Sequence, residues 1–545
     1  MVASEEIRCL VNKQRGENWP RGYKAAMKSP EADQWKAAIQ RELDSLKEKK
    51  VWRVVDRPAW PKRVIPTMFR FTKHPKEAKK KHEYKARALV NGALMREGID
   101  YFATFAATGS GATTFLIIAV ATACNMMLEN FDCASAFANS PIDEYVYVEP
   151  FPTMNLDPSK CLLLLKALYG IAQAPRAWKT LFVAWLLSIG MKALDQFECC
   201  FMWRQGRERL VLGIHVDDGI TASTSRSIRD SFYKLLRGRF TISLETKLEF
   251  YLGMNIKQNL SAGTTFVGQK TYIDKMLKRF EEYVTKESNI PMEPSFKIDP
   301  KDFETESDKD LKMLFASMIG SLMYAARWTQ VHLLYPVCSL ARVLHNPAEK
   351  HVRAAIKVFE YLKKHSEDGL TFSREPWFLP QEISRFAVEP LVLVALTDAA
   401  WGDDLLKRRS TAAYYVMFCA AVISARSHIL KTIAGSSLES EYMALYYCAV
   451  EVVYLRNVLK EMGFEQEKPT KIFCDNEAVK SFSEDAKFRD RTRHIDIKFH
   501  KIREWIKEDR IEVVTMKGTV NAADIGTKPL SKLPFHKHKK VLLNE

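Results

Sequence analysis

Residues 210–223 read LVLGIHVDDGITAS. Two short apolar runs flank an adjacent acidic pair, Asp217 and Asp218. The runs have strand character, and Gly219 permits a turn between them. Neighbouring side chains of a strand point to opposite faces. Both acids can therefore face one point only where the chain is already turning. A solvated hairpin tip accounts for a lone acid pair. A functional reading requires another acid from elsewhere in the chain. Asp132, in FDCASAF (131–137), is the candidate, at the C-terminal end of an expected strand. Carboxylates at adjacent strand ends can hold two Mg²⁺ ions about 4 Å apart and act on a phosphate.

The rest of the chain sets the frame. Its 545 residues allow several domains, and 47% apolar residues describe a globular protein. Lys and Arg exceed Asp and Glu by 82 to 66, a net charge of +16. Such a charge is a solvated basic surface or a field that attracts polyanions. The ten cysteines show no C-x-x-C spacing, so neither a zinc site nor a disulfide framework is indicated. The N-terminus has no apolar signal core, and 115–128 is too short and polar to span a bilayer. That stretch reads as a buried helix. Trp35, Ile39, Leu43 and Leu46 mark one face of a helix over 32–49. Residues 73–90 carry a dense basic run, either a solvated or a phosphate-binding loop. Three prolines over 373–390 read as a linker, after which a separate α/β domain begins.

That second region repeats the strand-end acids. Asp398 closes LVLVALTD, Asp475 closes KIFCD, and Asp524 opens DIGTKPL. The helix that begins ESEYMAL offers Glu439 as well as Glu441. Taken singly, each acid could be a cap. Taken together, they form a four-carboxylate site on an α/β domain.

Many blocks resemble one family in its own order. In the first half they are EADQWKAAIQRELDSLKEKKVW, YKARALVNGALMREGIDYFATFA, FDCASAFANSPIDEYVYVEP, LLKALYGIAQAPRAW, HVDDG and YLGMNI. In the second they are SMIGSLMYAAR, TDAAWGDDLLKRRSTAAY, SSLESEYMAL, CDNEAV, RTRHIDIKFHKIRE and NAADIGTKPL. From Tyr23 to Leu530 the chain resembles the reverse transcriptase and ribonuclease H portion of a copia-type LTR retrotransposon polyprotein. The resemblance implies an α+β fold, a right-hand polymerase followed by an RNase H-like α/β domain. Fingers and palm with a primer-grip hairpin fall at 31–300, a helical thumb or connection and linker at 301–390, and the RNase H-like domain at 391–530. Residues 1–30 are expected to be poorly ordered, and 531–545 to form a solvated basic tail.

The resemblance also implies residue roles. Asp132, Asp217 and Asp218 become the palm carboxylates and metal ligands. Asp398, Glu441, Asp475 and Asp524 become those of the ribonuclease H site; the match to EYMAL favours Glu441 and leaves Glu439 a solvated neighbour. Each site would hold two Mg²⁺, with Mn²⁺ as the substitute. Lys85, Arg87, Phe137, Tyr169 and Gly170 match the nucleotide pocket, Phe137 as an aromatic gate against a ribose 2′-OH. Leu252 and Gly253 resemble a primer grip. Arg491, Arg493, His494 and Lys498 would contact nucleic acid; His494 and His500 are not spaced as a metal pair. The partners implied are an RNA template, a DNA primer, an RNA–DNA hybrid and deoxynucleoside triphosphates, with no membrane. Cytoplasmic particles and the nucleus are the implied locations.

Several positions depart from the family spelling. His215 replaces a tyrosine before Val-Asp-Asp, and Gly526 stands where a phenylalanine is common. No zinc-knuckle, aspartic-protease or integrase block is found. A processed product, a partial element and a decayed copy all fit. A binding protein with lost catalysis, or a hybrid nuclease alone, are therefore the alternative readings.

Overall fold

The computed structural model describes residues 20–73, 83–106, 109–197, 199–375, 377–378, 387–484 and 496–545. The expected mixture of helices and sheets is observed, with one large sheet in each half of the chain. A six-stranded antiparallel sheet centres the first half. From edge to edge it runs Ile242–Glu245, Met127–Cys133, Asp218–Ser223, Glu208–His215, Cys200–Gln205 and Lys192–Ala193. A five-stranded mixed sheet centres the second: Ala421–Ile429, Thr411–Phe418, Val394–Ala400, Thr470–Cys474 and Ile511–Thr515. Its first three strands are antiparallel and its last three parallel.

The helices form where local chemistry starts them. Ser110 caps the helix Gly111–Ala123 by accepting from the Thr113 amide at 3.1 Å. This helix is buried nearly all round, which is why its sequence shows no polar stripe. It ends at Ala123, and Met127 already belongs to a strand. The helix expected over 115–128 is therefore a helix and a strand start, because an apolar run alone cannot separate the two. Ser436 caps the long helix Ser437–Met462, and Gly463 ends it in the left-handed conformation.

Three expectations about domain organisation are corrected. Residues 20–30 are not disordered: Tyr23–Met27 is helical and Ala26 is buried. Residues 1–19 lie outside the described residues. The region 301–390, expected to be helical, contributes a strand, Gly369–Ser373, to a four-stranded sheet with the 250–268 hairpins. Part of the linker, 376 and 379–386, and of the basic run, 74–82, lies outside the described residues. Finally, the second half is not a separate body. One apolar core runs from Phe115 through the helices between Lys309 and Lys364 to Leu543. Phe115 meets Trp328 at 5.8 Å and Phe372 at 6.3 Å, and Tyr454 donates to the Gln196 carbonyl at 2.9 Å.

The basic tail is the clearest reversal. Residues Lys532–Leu543 form a helix that buries Phe535, Leu542 and Leu543. These lie at i, i+7 and i+8, one helical face, but the intervening lysines and histidines hide the pattern. Lys539 is itself buried and pairs with Asp368 at 2.7 Å. Asp368 in turn meets the Tyr361 hydroxyl, and Phe535 packs edge-on against the Tyr361 ring at 5.5 Å. Phe535→Ala should cost about 3 kcal/mol, read as a lower urea midpoint with the slope unchanged. A solvated tail would give no shift.

Candidate active sites

The first acid cluster forms at one sheet end. The antiparallel register sets Asp132 directly opposite Asp218, and Asp218 opposite His215. Val216 and Asp217 are thus the two residues of a tight hairpin turn. Val216 has φ +59°, a strained value for a β-branched residue. Two contacts hold it there. The Trp178 indole donates to the Val216 carbonyl at 2.6 Å, and the Cys133 amide donates to the Asp217 carbonyl at 3.0 Å. The turn gathers the three acids around Cys133, whose thiol is pushed up by burial and then by Asp132, Asp217 and Asp218.

Gly219 serves a different purpose from the one its position suggested. It is not in the turn but in the strand, opposite Phe131. A Cβ there would lie 2.2 Å from the Phe131 ring. The glycine admits that ring across the strand and so brings the two strands' acids level.

The residues expected at the nucleotide pocket assemble beside this turn. Lys85 and Arg87 share one exposed face of the strand Tyr84–Val90. The Arg87 guanidinium lies 5.3 Å from the Tyr169 ring centre, and Phe137 meets the same ring edge-on at 4.8 Å. The Tyr169 hydroxyl is pushed up to about 12 by burial, and also by Asp217 and Asp132, while Arg87 opposes. Gly170 has φ +97° and packs its Cα against the Val90 carbonyl. Leu252 and Gly253, both with positive φ, form the turn between Phe250–Tyr251 and Met254–Asn259. The Tyr324 hydroxyl donates to the Leu252 carbonyl. Tyr324 is 72 residues away along the chain, so no local signal marked it.

The second cluster is tighter. Val394–Ala400 and Thr470–Cys474 are parallel neighbours, with Leu396 opposite Phe473. Two residues on, Asp398 and Asp475 leave the same sheet end. Asp524 comes from the short 3₁₀ turn Ala522–Gly526. One oxygen from each of these three lies within 4.8 Å of the others. Among the described residues no other set of acids, histidines or cysteines converges so closely. The acids of the first cluster are more open, since Asp132 and Asp218 face each other across strands and Asp217 sits in the turn. Such an oxygen cage suits a hard divalent cation.

Glu441 approaches from the helix Ser437–Met462, buried like Asp398, which is 3% exposed. Its Oε2 has no hydrogen-bond partner. Burial raises the Asp398 carboxyl, and Asp524 and Asp475 raise it further. Burial likewise raises Glu441, with Asp398 and Asp475 adding to it. A cation would relieve all of these. Glu439 is half-buried rather than solvated. It accepts from the Gly435 amide at 2.7 Å and steadies the helix start.

Three supporting residues carry no signal that singles them out in the sequence alone. The Thr527 hydroxyl donates to Asp398, Lys528 pairs with Asp524 at 2.9 Å, and Asn521 donates to the Thr397 carbonyl at 3.0 Å. Thr527 and Lys528 stand three and four places after Asp524, so turn spacing is the one clue to them. Gly526 has a plain cause. A Cβ there would fall 2.6 Å from Ala413 and 2.8 Å from the Tyr415 hydroxyl, so the Tyr415 side chain already fills the space of a larger residue. Arg491, Arg493 and His494 lie outside the described residues. Lys498 falls in the helix Asp496–Lys507, with its side chain outside the description.

Residues 49–294 match the family described as reverse transcriptase (RNA-dependent DNA polymerase). The retrovirus-related Pol polyprotein from transposon TNT 1-94 of Nicotiana tabacum is 27% identical over 533 residues, 96% of this chain and 39% of that protein. That from transposon RE1 of Arabidopsis thaliana is 26% identical over 514 residues, 94% of this chain and 34% of that protein. The chain therefore spans between 34% and 39% of these two relatives. Among solved structures, the foamy viral protease-reverse transcriptase dRH in complex with ds DNA aligns with TM-score 0.48 and 13% identity. The alignment covers 89% of this chain and 70% of that one.

Proposed function

We propose that this chain, whose residues 49–294 match the family described as reverse transcriptase (RNA-dependent DNA polymerase), is an RNA-directed DNA polymerase with a second, ribonuclease H-type site. The observation that carries the reading is the pair of carboxylate clusters on two sheets of one chain. The first lies inside the matched residues. It takes a template, a primer and deoxynucleoside triphosphates, with Lys85 and Arg87 at the triphosphate. The second cuts the RNA strand of the hybrid. Divalent cations, Mg²⁺ by preference, supply charge neutralisation and an activated oxygen nucleophile at each site. Asp132, Asp217 and Asp218 hold them at the first. Asp398, Glu441, Asp475 and Asp524 hold them at the second. Thr527 and Lys528 orient two of these carboxylates.

Phe137 deepens the reading. It is fixed against Tyr169 and cannot swing away from a bound sugar without breaking that contact. Phe137→Ala should raise ribonucleotide incorporation relative to deoxynucleotide about 10²-fold. Single-nucleotide extension with both triphosphates measures it, and an unchanged ratio rejects the gate.

The whole reading is tested by one assay with two readouts: primer extension on an RNA template with Mg²⁺, and cleavage of a labelled RNA–DNA hybrid. Extension and cleavage by the same protein are expected. Cleavage without extension leaves a hybrid nuclease. Folded protein that binds hybrid and does neither leaves a binding protein of retroelement origin.

A further inference from the structure

The Trp178 indole does more than fill the core. Trp178 stands one turn into the helix Ala174–Ser188 and is only 1% exposed. Its ring stacks on Phe182 at 5.0 Å and meets the Phe240 ring edge-on at 5.4 Å. That packing uses the rings and not the N–H. A buried indole N–H must also find an acceptor. The acceptor it takes is the Val216 carbonyl, 2.6 Å away in the acidic hairpin.

The turn depends on such a contact. His215 is opposite Asp218, so Val216 and Asp217 alone make the loop. Val216 has positive φ and Asp217 does not. A two-residue loop of that kind favours glycine at its first place. A β-branched valine is held there against its own preference, and such a conformation persists only where its surroundings impose it.

Both peptides flanking Asp217 are pinned. Trp178 donates to the carbonyl of the one before it, and the Cys133 amide donates to the carbonyl of the one after it. The Cys133 contact is backbone to backbone and follows from the sheet. The Trp178 contact is the one that a side chain supplies. Phe182, stacked on Trp178, also meets Phe131 at 6.3 Å, and Phe131 crosses Gly219. One aromatic cluster thus backs both the turn and the strand pair that carry the three acids.

We infer that Trp178 is a positioning residue of the first acid cluster. Its N–H holds the Val216–Asp217 peptide and so aims the Asp217 carboxylate at the sheet end shared with Asp132 and Asp218. The inference rests on the proposed function.

Trp178→Phe keeps an aromatic ring and removes the donor. Per folded molecule, kcat for RNA-templated primer extension should fall about 30-fold, with the deoxynucleotide KM within about twofold of wild type. Val216→Gly relieves the strain, so the turn no longer relies on the indole. In that background, adding Trp178→Phe should cost no more than about threefold. A second readout needs no turnover. With the second cluster disabled by Asp398→Asn, Mn²⁺ binding read from the EPR signal of the free ion should weaken about tenfold on adding Trp178→Phe. If Trp178→Phe does not fold, the benzothiophene isostere of tryptophan, with sulfur in place of N–H, makes the same comparison without a change of shape. An unchanged kcat overturns the inference. So does an equal loss with and without Val216→Gly, which leaves Trp178 as core packing. A loss confined to KM overturns it too and puts Trp178 at the nucleotide pocket. No extension by the wild-type chain overturns the proposed function. In that case weaker Mn²⁺ binding still supports the positioning role, and unchanged binding overturns it as well.

Discussion

Asp217→Asn is expected to lower RNA-templated primer extension by about 10³-fold and to leave hybrid cleavage within about twofold of wild type. The substitution keeps size and shape and removes one negative charge. The backbone that sets this turn is held by Trp178 and Cys133, not by the Asp217 side chain. The hairpin should therefore survive, and the loss reports the missing charge on metal and triphosphate. Unchanged melting with unchanged extension would remove Asp217 from the site. A parallel loss of cleavage would mean that the two clusters act as one centre or that the shared core has been disturbed.

Asp398→Asn should give the opposite separation, and a stability change with it. Hybrid cleavage should fall about 10³-fold with extension retained. The buried Asp398 and Glu441 and the half-buried Asp475 all hold protons more tightly than free carboxyls. The folded chain therefore binds protons that the unfolded chain releases. That contribution to stability is present at low pH and is lost as pH rises from about 4 toward the raised folded values. Without divalent cation, the wild-type melting temperature should thus fall between about pH 5 and pH 8. An asparagine side chain in place of Asp398 can still accept from Thr527 and carries no charge to bury. The variant should be about 1–2 kcal/mol more stable at pH 8, with a flatter pH dependence. Added Mg²⁺ should raise the wild-type melting temperature more than that of the variant. A variant less stable than wild type at pH 8 in the absence of cation would show that repulsion among these acids is not what the site stores.

Much of this was legible in the chain. The acids at strand ends, the amphipathic helix 32–49 and the order of blocks are local patterns, and local patterns follow from the two periodicities of helix and strand. They place Asp132, Asp217 and Asp218 on the right elements. The register that levels Asp132 with Asp218 is another matter. It depends on Phe131 crossing Gly219, a contact between residues 88 positions apart. No spacing rule encodes it.

Other features exist only once the chain is folded. The single core joining both halves is built from apolar positions that any buried helix would show, so partners are undefined until packing selects them. The C-terminal helix was hidden because its basic letters outnumber its apolar ones. Burial of Phe535, Leu542 and Leu543 outweighs them, and Asp368 neutralises the one lysine taken inside. Trp178 and Val216 lie 38 residues apart on different elements and meet only in three dimensions. By itself, the sequence determined the chemistry of this protein, because carboxylates and their strand-end context are local. The tertiary structure decided the geometry, because distances between the two sites are set by packing across elements that the sequence does not join.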